Sequence, residues 1–247
     1  MPNLASLSTI FETFLQGHYG TNGFEQEIIS AIPALIKATL AVHKDVTETF
    51  RKTAANFHYE FNIRHLAGVF SGLLMAKAQR FNTAEKTAFV WCHECERVYG
   101  DRLVSYAHLD QFYGIMMNQA KKAFGSFNTG RFYPAQPGEP AQDILVFSHF
   151  GDGIGEDPVY DRINDVHDLS VLLEAGLEDY NETNVQMDLV LFEDAMRHIC
   201  KITRVINNPA GHALLVGVGG SGKQSLTRFA GYISELKCFH TELTKCY

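Results

Sequence analysis

The residues best suited to chemistry lie in Gly217-Val218-Gly219-Gly220-Ser221-Gly222-Lys223-Gln224-Ser225. Gly217 and Gly222 bracket four residues and Lys223 follows, the G-x-x-x-x-G-K spacing of a phosphate-binding loop. The chemistry follows from the residue types. Glycines let the backbone fold around a phosphate with its N–H groups turned inward. A helix starting near Gly222 adds free N–H groups and the positive end of its dipole. Lys223 brings a point charge for the outer phosphates. One position departs from the pattern: Gln224 stands where a Ser or Thr hydroxyl would hold Mg²⁺. Ser225 carries a hydroxyl, but one residue further along a helix is about 100° around the axis. The loop therefore reads as a nucleotide site at which Mg²⁺-dependent hydrolysis is not supported.

The loop needs a strand before it and a helix after it. Ala213 to Val216 is a short apolar run that reads as a buried strand. Leu226, Phe229, Ala230 and Ile233 have helical spacing. Upstream, Met187 to Ile206 reads as one helix, stopped by Asn207-Asn208-Pro209. Leu169, Leu172, Leu173, Leu177 and Tyr180 form a helix before that, broken at Asn181-Glu182-Thr183-Asn184. Ile144 to Phe147 and Cys238 to Leu243 are further strand candidates. The acidic run from Asp152 to Asp168 does not match a calcium-loop spacing and reads as a solvated loop entering a helix.

The first half is helical throughout. Apolar faces span residues 4 to 16, broken by Gly17 to Gly23, and residues 24 to 43, with Pro33 bending or splitting the second helix. Asp45 reads as the cap of a short helix ending near Asn56. Asn62 caps a helix with Ile63, Leu66, Val69, Phe70, Leu73 and Leu74 on one side. Arg64 lies in its first turn, where the dipole disfavours a cation, so it is a candidate for meeting an anion. A solvated or carboxylate-paired arginine is the plain alternative. Thr83 to Tyr99 and Leu109 to Phe124 complete the set. The pair Cys92 and Cys95 has C-x-x-C spacing, but no second pair lies at finger distance, and helix packing is the expected role. Gly125, Gly130, Pro134, Pro137, Gly138 and Pro140 mark a linker.

The 247 residues suit one large domain or two ordinary ones, and an apolar fraction of 46% supports a real core. A formal charge of −7 argues against a general nucleic-acid or membrane surface. No apolar run approaches the ~18 residues of a membrane span. The N-terminus lacks the pattern of a signal peptide. Five cysteines, an odd number spread along the chain, fit reduced thiols in a cytosolic compartment.

His212 to Arg228 closely resembles the phosphate loop of the fourth AAA+ module of dynein heavy chains, a family that also carries Gln after the lysine. Met187-Asp188-Leu189-Val190-Leu191-Phe192-Glu193-Asp194-Ala195 resembles the helix before that loop, and Tyr180-Asn181 the end of the helix before that. Phe61-Asn62-Ile63-Arg64-His65-Leu66 and His93 to Leu103 resemble the lid of the third module. The wording is more similar to axonemal than to cytoplasmic dynein. The resemblance implies a mostly α chain with a partial α/β P-loop unit: a helical lid followed by the incomplete core of the next module. It implies a lid over residues 1–127, a linker over 128–142 and the start of the fourth module over 143–247. It also implies that Arg64 reaches outer phosphates in the third module's pocket, that residues 217–225 hold those of ATP or ADP in the fourth, and that Val159 and Tyr160 sit where a loop contacts adenine. The implied partners are the rest of the heavy-chain ring, intermediate and light chains, and microtubules through a stalk not in this chain. The implied location is the ciliary or flagellar axoneme.

Two other readings stay open from the residues. One is a non-catalytic scaffold fragment with no nucleotide cycle. The other is a small P-loop kinase or GTPase, disfavoured because no strand ending in Asp follows the loop within these residues. For that reason, and because of Gln224, the 247 residues alone are expected not to hydrolyse ATP at a useful rate.

Overall fold

The computed structural model describes residues 3–125, 127–133, 141, 143–155, 158–209 and 211–241. The chain divides into two compact units, Met1–Leu145 and Val146–Tyr247.

Among the described residues the first unit holds five α-helices: α1 (Leu4–Thr21), α2 (Gln26–Thr49), α3 (Ile63–Leu73), α4 (Ala84–Val98) and α5 (Tyr106–Phe124). α2 packs against each of the other four. It runs unbroken through Pro33 and through Asp45, which is not a cap. Val42 and Val46 are both fully buried, so the apolar stripe continues at i, i+4 spacing and carries the helix past Asp45. The Asp45 carboxylate accepts from Gln119 Nε2 of α5 at 3.0 Å. α1 likewise continues through Gly17 and Gly20, because burial of Leu15 and Tyr19 outweighs the weak helix propensity of glycine. α5 begins three residues before the expected start, where the Ser105 side chain caps it by accepting from the His108 N–H at 3.2 Å.

Buried polar groups fix the helix register. Trp91 Nε1 of α4 donates to Thr39 Oγ1 of α2 at 2.8 Å, and both residues are fully buried. The Tyr19 hydroxyl donates to the Leu73 carbonyl at 3.1 Å, beside the Ala76 N–H that the same oxygen accepts at the C-terminus of α3. Gly72 lets α3 approach α4, since a Cβ there would overlap the buried Glu94 carboxylate. Cys92 and Cys95 are buried within α4, and burial pushes both thiols well above the ordinary range. They pack as the sequence reading expected.

Among the described residues the second unit holds a small antiparallel pair, β1 (Val146–Ser148) and β2 (Asp161–Ile163), and three helices, α6 (Val166–Thr183), α7 (Glu193–Asn207) and α8 (Lys223–Ile233). Val146 pairs with Ile163 and Ser148 with Asp161. Asp165 caps α6 by accepting from the His167 N–H at 2.8 Å. Leu169, Leu173, Ile199, Phe229 and Ala230 lie in the shared core of this unit. Gly176 is needed where it stands, because a Cβ would run into the Ile154 side chain.

Three sequence expectations fail here. The helix expected from Met187 begins only at Glu193. The Asn181 side chain donates to the Met187 carbonyl at 3.3 Å and accepts from its N–H at 2.7 Å, so Met187 is held in an extended turn. Glu193 and Asp194 then favour helix initiation electrostatically. Ala213 to Val216 is extended but forms no strand among the described residues. Leu214 and Val216 are 90% and 87% exposed, and only Leu215 packs on the core. A strand is defined by its neighbour, and nothing in the described residues pairs with this one. Cys238 to His240 likewise belongs to no strand among the described residues, while the end of that strand candidate, from residue 242, lies outside the described residues.

Candidate phosphate-binding site

The loop joins the extended segment to α8. Gly222 is the N-cap of α8 with φ +75°, and Gly220 has φ +78°. Both lie in the left-handed region that suits glycine. The Val218 carbonyl accepts from the Ser221 N–H at 3.3 Å, which turns the chain before the helix. Leu226, Phe229, Ala230 and Ile233 are buried and seat α8, as their spacing predicted. The Thr227 hydroxyl donates to the Lys223 carbonyl at 2.7 Å inside the first turns.

Lys223 points back into the loop. Its Nζ donates to the Gly217 carbonyl at 2.7 Å, to the Val218 carbonyl at 2.7 Å and to Ser221 Oγ at 3.0 Å. Three donors meet three acceptors, the full capacity of an ammonium group. Gly217 permits this closure: a Cβ there would stand 2.9 Å from Ser221 Oγ and 3.5 Å from Lys223 Nζ. A Cβ on Gly219 meets nothing within 4 Å, so the loop backbone is open to a ligand on that side. Gln224 is exposed and Ser225 half-buried.

The structure thus brings residues 217–223 together in one loop, with Gln224 and Ser225 in the first turn of α8. Val159 lies in the same unit, in a parallel bridge with Phe150. Tyr160 is buried, with its ring 5.6 Å from Phe147 and 4.8 Å from His149. Tyr160 therefore serves as a core residue, and Val159 is the more accessible of the two. Arg64 belongs to the other unit. It is exposed in the first turn of α3, where the Asn62 side chain accepts from its N–H at 3.0 Å.

Two features around these residues were missed by sequence reasoning. Ser221 read as one more loop residue, although its hydroxyl grips Lys223. His65 carries no role of its own in the sequence reading, yet its Nδ1 accepts from the Asn62 N–H at 3.0 Å and completes a capping box. The signal was present in Asn62-x-x-His65, with His in place of the usual Glu or Gln. Burial is the main cause lowering the His65 pKa to about 4, with help from Arg102 and His43. The imidazole is then neutral and able to accept.

Residues 187–247 match the family described as the P-loop containing dynein motor region D4. Residues 35–130 match the AAA+ lid domain. The chain is 49% identical over 232 residues to a dynein alpha chain of the flagellar outer arm from Chlamydomonas reinhardtii, covering 94% of this chain and 5% of that relative. It is 42% identical over 246 residues to human dynein axonemal heavy chain 17, covering 100% of this chain and 5% of the relative. It is 33% identical over 243 residues to a dynein heavy chain-like protein of Plasmodium falciparum, covering 98% of this chain and 4% of that relative. The chain thus spans about a twentieth of the length of these relatives. With an AAA+ lid and a dynein-type P-loop in order on one polypeptide, and this identity along nearly its whole length, the chain belongs to the dynein heavy chain family.

Proposed function

We propose that this chain binds ATP or ADP through residues 217–225 and contributes, within a dynein heavy-chain ring, to ATP-driven movement along microtubules in cilia or flagella. The observation that supports it best is the closure of Lys223 onto its own loop. An ammonium already positioned inside a glycine-lined turn at a helix N-terminus needs only to exchange loop acceptors for phosphate oxygens. Gly217, Gly219, Gly220 and Gly222 leave the backbone room to face the phosphates. Val218, Ser221, Gln224 and Ser225 offer backbone N–H groups. A bound nucleotide supplies the phosphoanhydride whose hydrolysis the ring uses. The residue types do not fit a first-turn Mg²⁺ site, since Gln224 offers no hydroxyl. Mg²⁺ is therefore not assigned to it.

Within this reading residues 1–127 form the lid of the third module, 128–142 a linker and 143–247 the start of the fourth. Arg64 then serves the third module's pocket, and Val159 flanks the adenine of the fourth, with the buried Tyr160 supporting that loop from the core. The partners are the rest of the ring, intermediate and light chains, and, through the stalk of the whole protein, microtubules. The axoneme is the location that the names of the relatives suggest.

Titration of the chain with ADP tests the binding claim. Lys223→Ala is expected to lose roughly 1.5–3 kcal/mol of affinity, the scale of a hydrogen bond to a charged group. Equal affinity in wild type and variant would remove the phosphate site.

A further inference from the structure

We infer that Ser221 acts as a latch on the nucleotide-free loop, holding Lys223 in a self-satisfied state that nucleotide must break; the inference rests on the phosphate-site reading above. Ser221 Oγ is the only side-chain acceptor among the three that surround Lys223 Nζ; the others are the Gly217 and Val218 carbonyls. The Ser221 N–H is tied to the Val218 carbonyl at the same time. Ser221 thereby fastens both the backbone turn and the lysine.

Phosphate oxygens compete for the same three N–H bonds of Lys223. An acceptor that stabilises only the free state lowers the population ready to bind, and the apparent affinity falls by that fraction. Removing the Ser221 hydroxyl lifts part of this restraint. It leaves intact the backbone N–H groups and the lysine charge that the bound state uses. The hydroxyl thus opposes binding while the lysine two residues on promotes it. Gly217 belongs to the same device, since a Cβ there would press on Ser221 Oγ at 2.9 Å while only touching Lys223 Nζ.

The test uses two readouts on the 247-residue chain. The first is millisecond-quench hydrogen exchange at amides 218–222 without nucleotide. Ser221→Ala and Lys223→Ala are each expected to speed exchange, and the double variant no further than the faster single, because both break one contact. The second is ADP titration. Ser221→Ala is expected to tighten ADP binding by about 3- to 10-fold, the scale of one net hydrogen bond. Unchanged exchange in Ser221→Ala overturns the latch. So does weaker ADP binding by Ser221→Ala, which would make the hydroxyl a phosphate ligand. If exchange rises as expected but Lys223→Ala binds ADP like wild type, the phosphate-site reading falls while the loop contact stands.

Discussion

Lys223 Nζ lies 2.7 Å from the Gly217 carbonyl oxygen, so the lysine that ends the G-x-x-x-x-G-K run closes on the glycine that begins it. The motif spacing has a plain mechanical sense in this contact. Five residues lie between the two, enough for a turn with left-handed glycines at Gly220 and Gly222 and a helix start at Lys223. The ring is small enough that a flexible lysine reaches back across it.

Thr39 and Trp91 hold α2 and α4 in register through a fully buried hydrogen bond of 2.8 Å. Thr39→Val keeps the shape and strands the indole N–H. The expected cost is about 1–3 kcal/mol of unfolding free energy, the penalty of an unsatisfied buried donor. Chemical denaturation measures it. Adding Trp91→Phe should cost less in the Thr39→Val background than in wild type. Fully additive losses would show that the bond carries no coupling.

His65 makes stability pH-dependent. Its native pKa is about 4, below the ordinary value of 6.5, and burial is the largest cause. Arg102 and His43 also lower it, while Glu60 and the Asn62 backbone bond oppose them. The unfolded state therefore takes up a proton between pH 6.5 and about 4 that the native state refuses. The stability contributed is complete above the unfolded pKa and declines as pH falls through this window. His65→Gln keeps a neutral acceptor at the third helical position and should flatten that part of the melting-temperature profile. An identical acid slope in the variant would assign the loss to other groups.

These two cases also mark what was legible in the sequence. α3 and α4 could be read closely because their apolar spacing and their caps, Asn62 and Thr83, are local signals. The ends of α1 and α2 could not, because burial of Tyr19 and Val46 against neighbouring helices overrides the local breakers Gly17 and Asp45. The start of α7 was hidden for a similar reason: Asn181 reaches six residues along the chain to hold Met187. At the site, the loop and its helix were legible from glycine spacing. The strand before them was not, because strand pairing depends on a partner that local apolarity does not reveal. The grip of Ser221 on Lys223 was also out of reach, since rotamers do not follow from spacing.

The extended segment before the loop has a consequence for solution behaviour. Leu214 and Val216 are exposed, no charged side chain interrupts the run from Ala213 to Gly222, and Ala213 to Val216 joins no strand among the described residues. Such an edge is a template for pairing with another copy. Sedimentation velocity at rising concentration should show self-association of this chain, reduced in Val216→Lys. Identical distributions for the two proteins would mean that this edge does not pair between copies.

Under the proposed function Lys223 and Arg64 serve different nucleotide pockets, one at the start of a module and the other in the lid of the module before it. The decisive measurement is ADP titration of wild type, Arg64→Ala, Lys223→Ala and the double variant of this chain. Residues gripping one ligand give non-additive losses, whereas independent sites add. Arg64→Ala is predicted to leave affinity within about 0.5 kcal/mol of wild type, the usual additivity error, with and without the Lys223 change. A large loss from Arg64→Ala that is strongly coupled to Lys223→Ala would place both in one pocket and defeat the two-pocket reading.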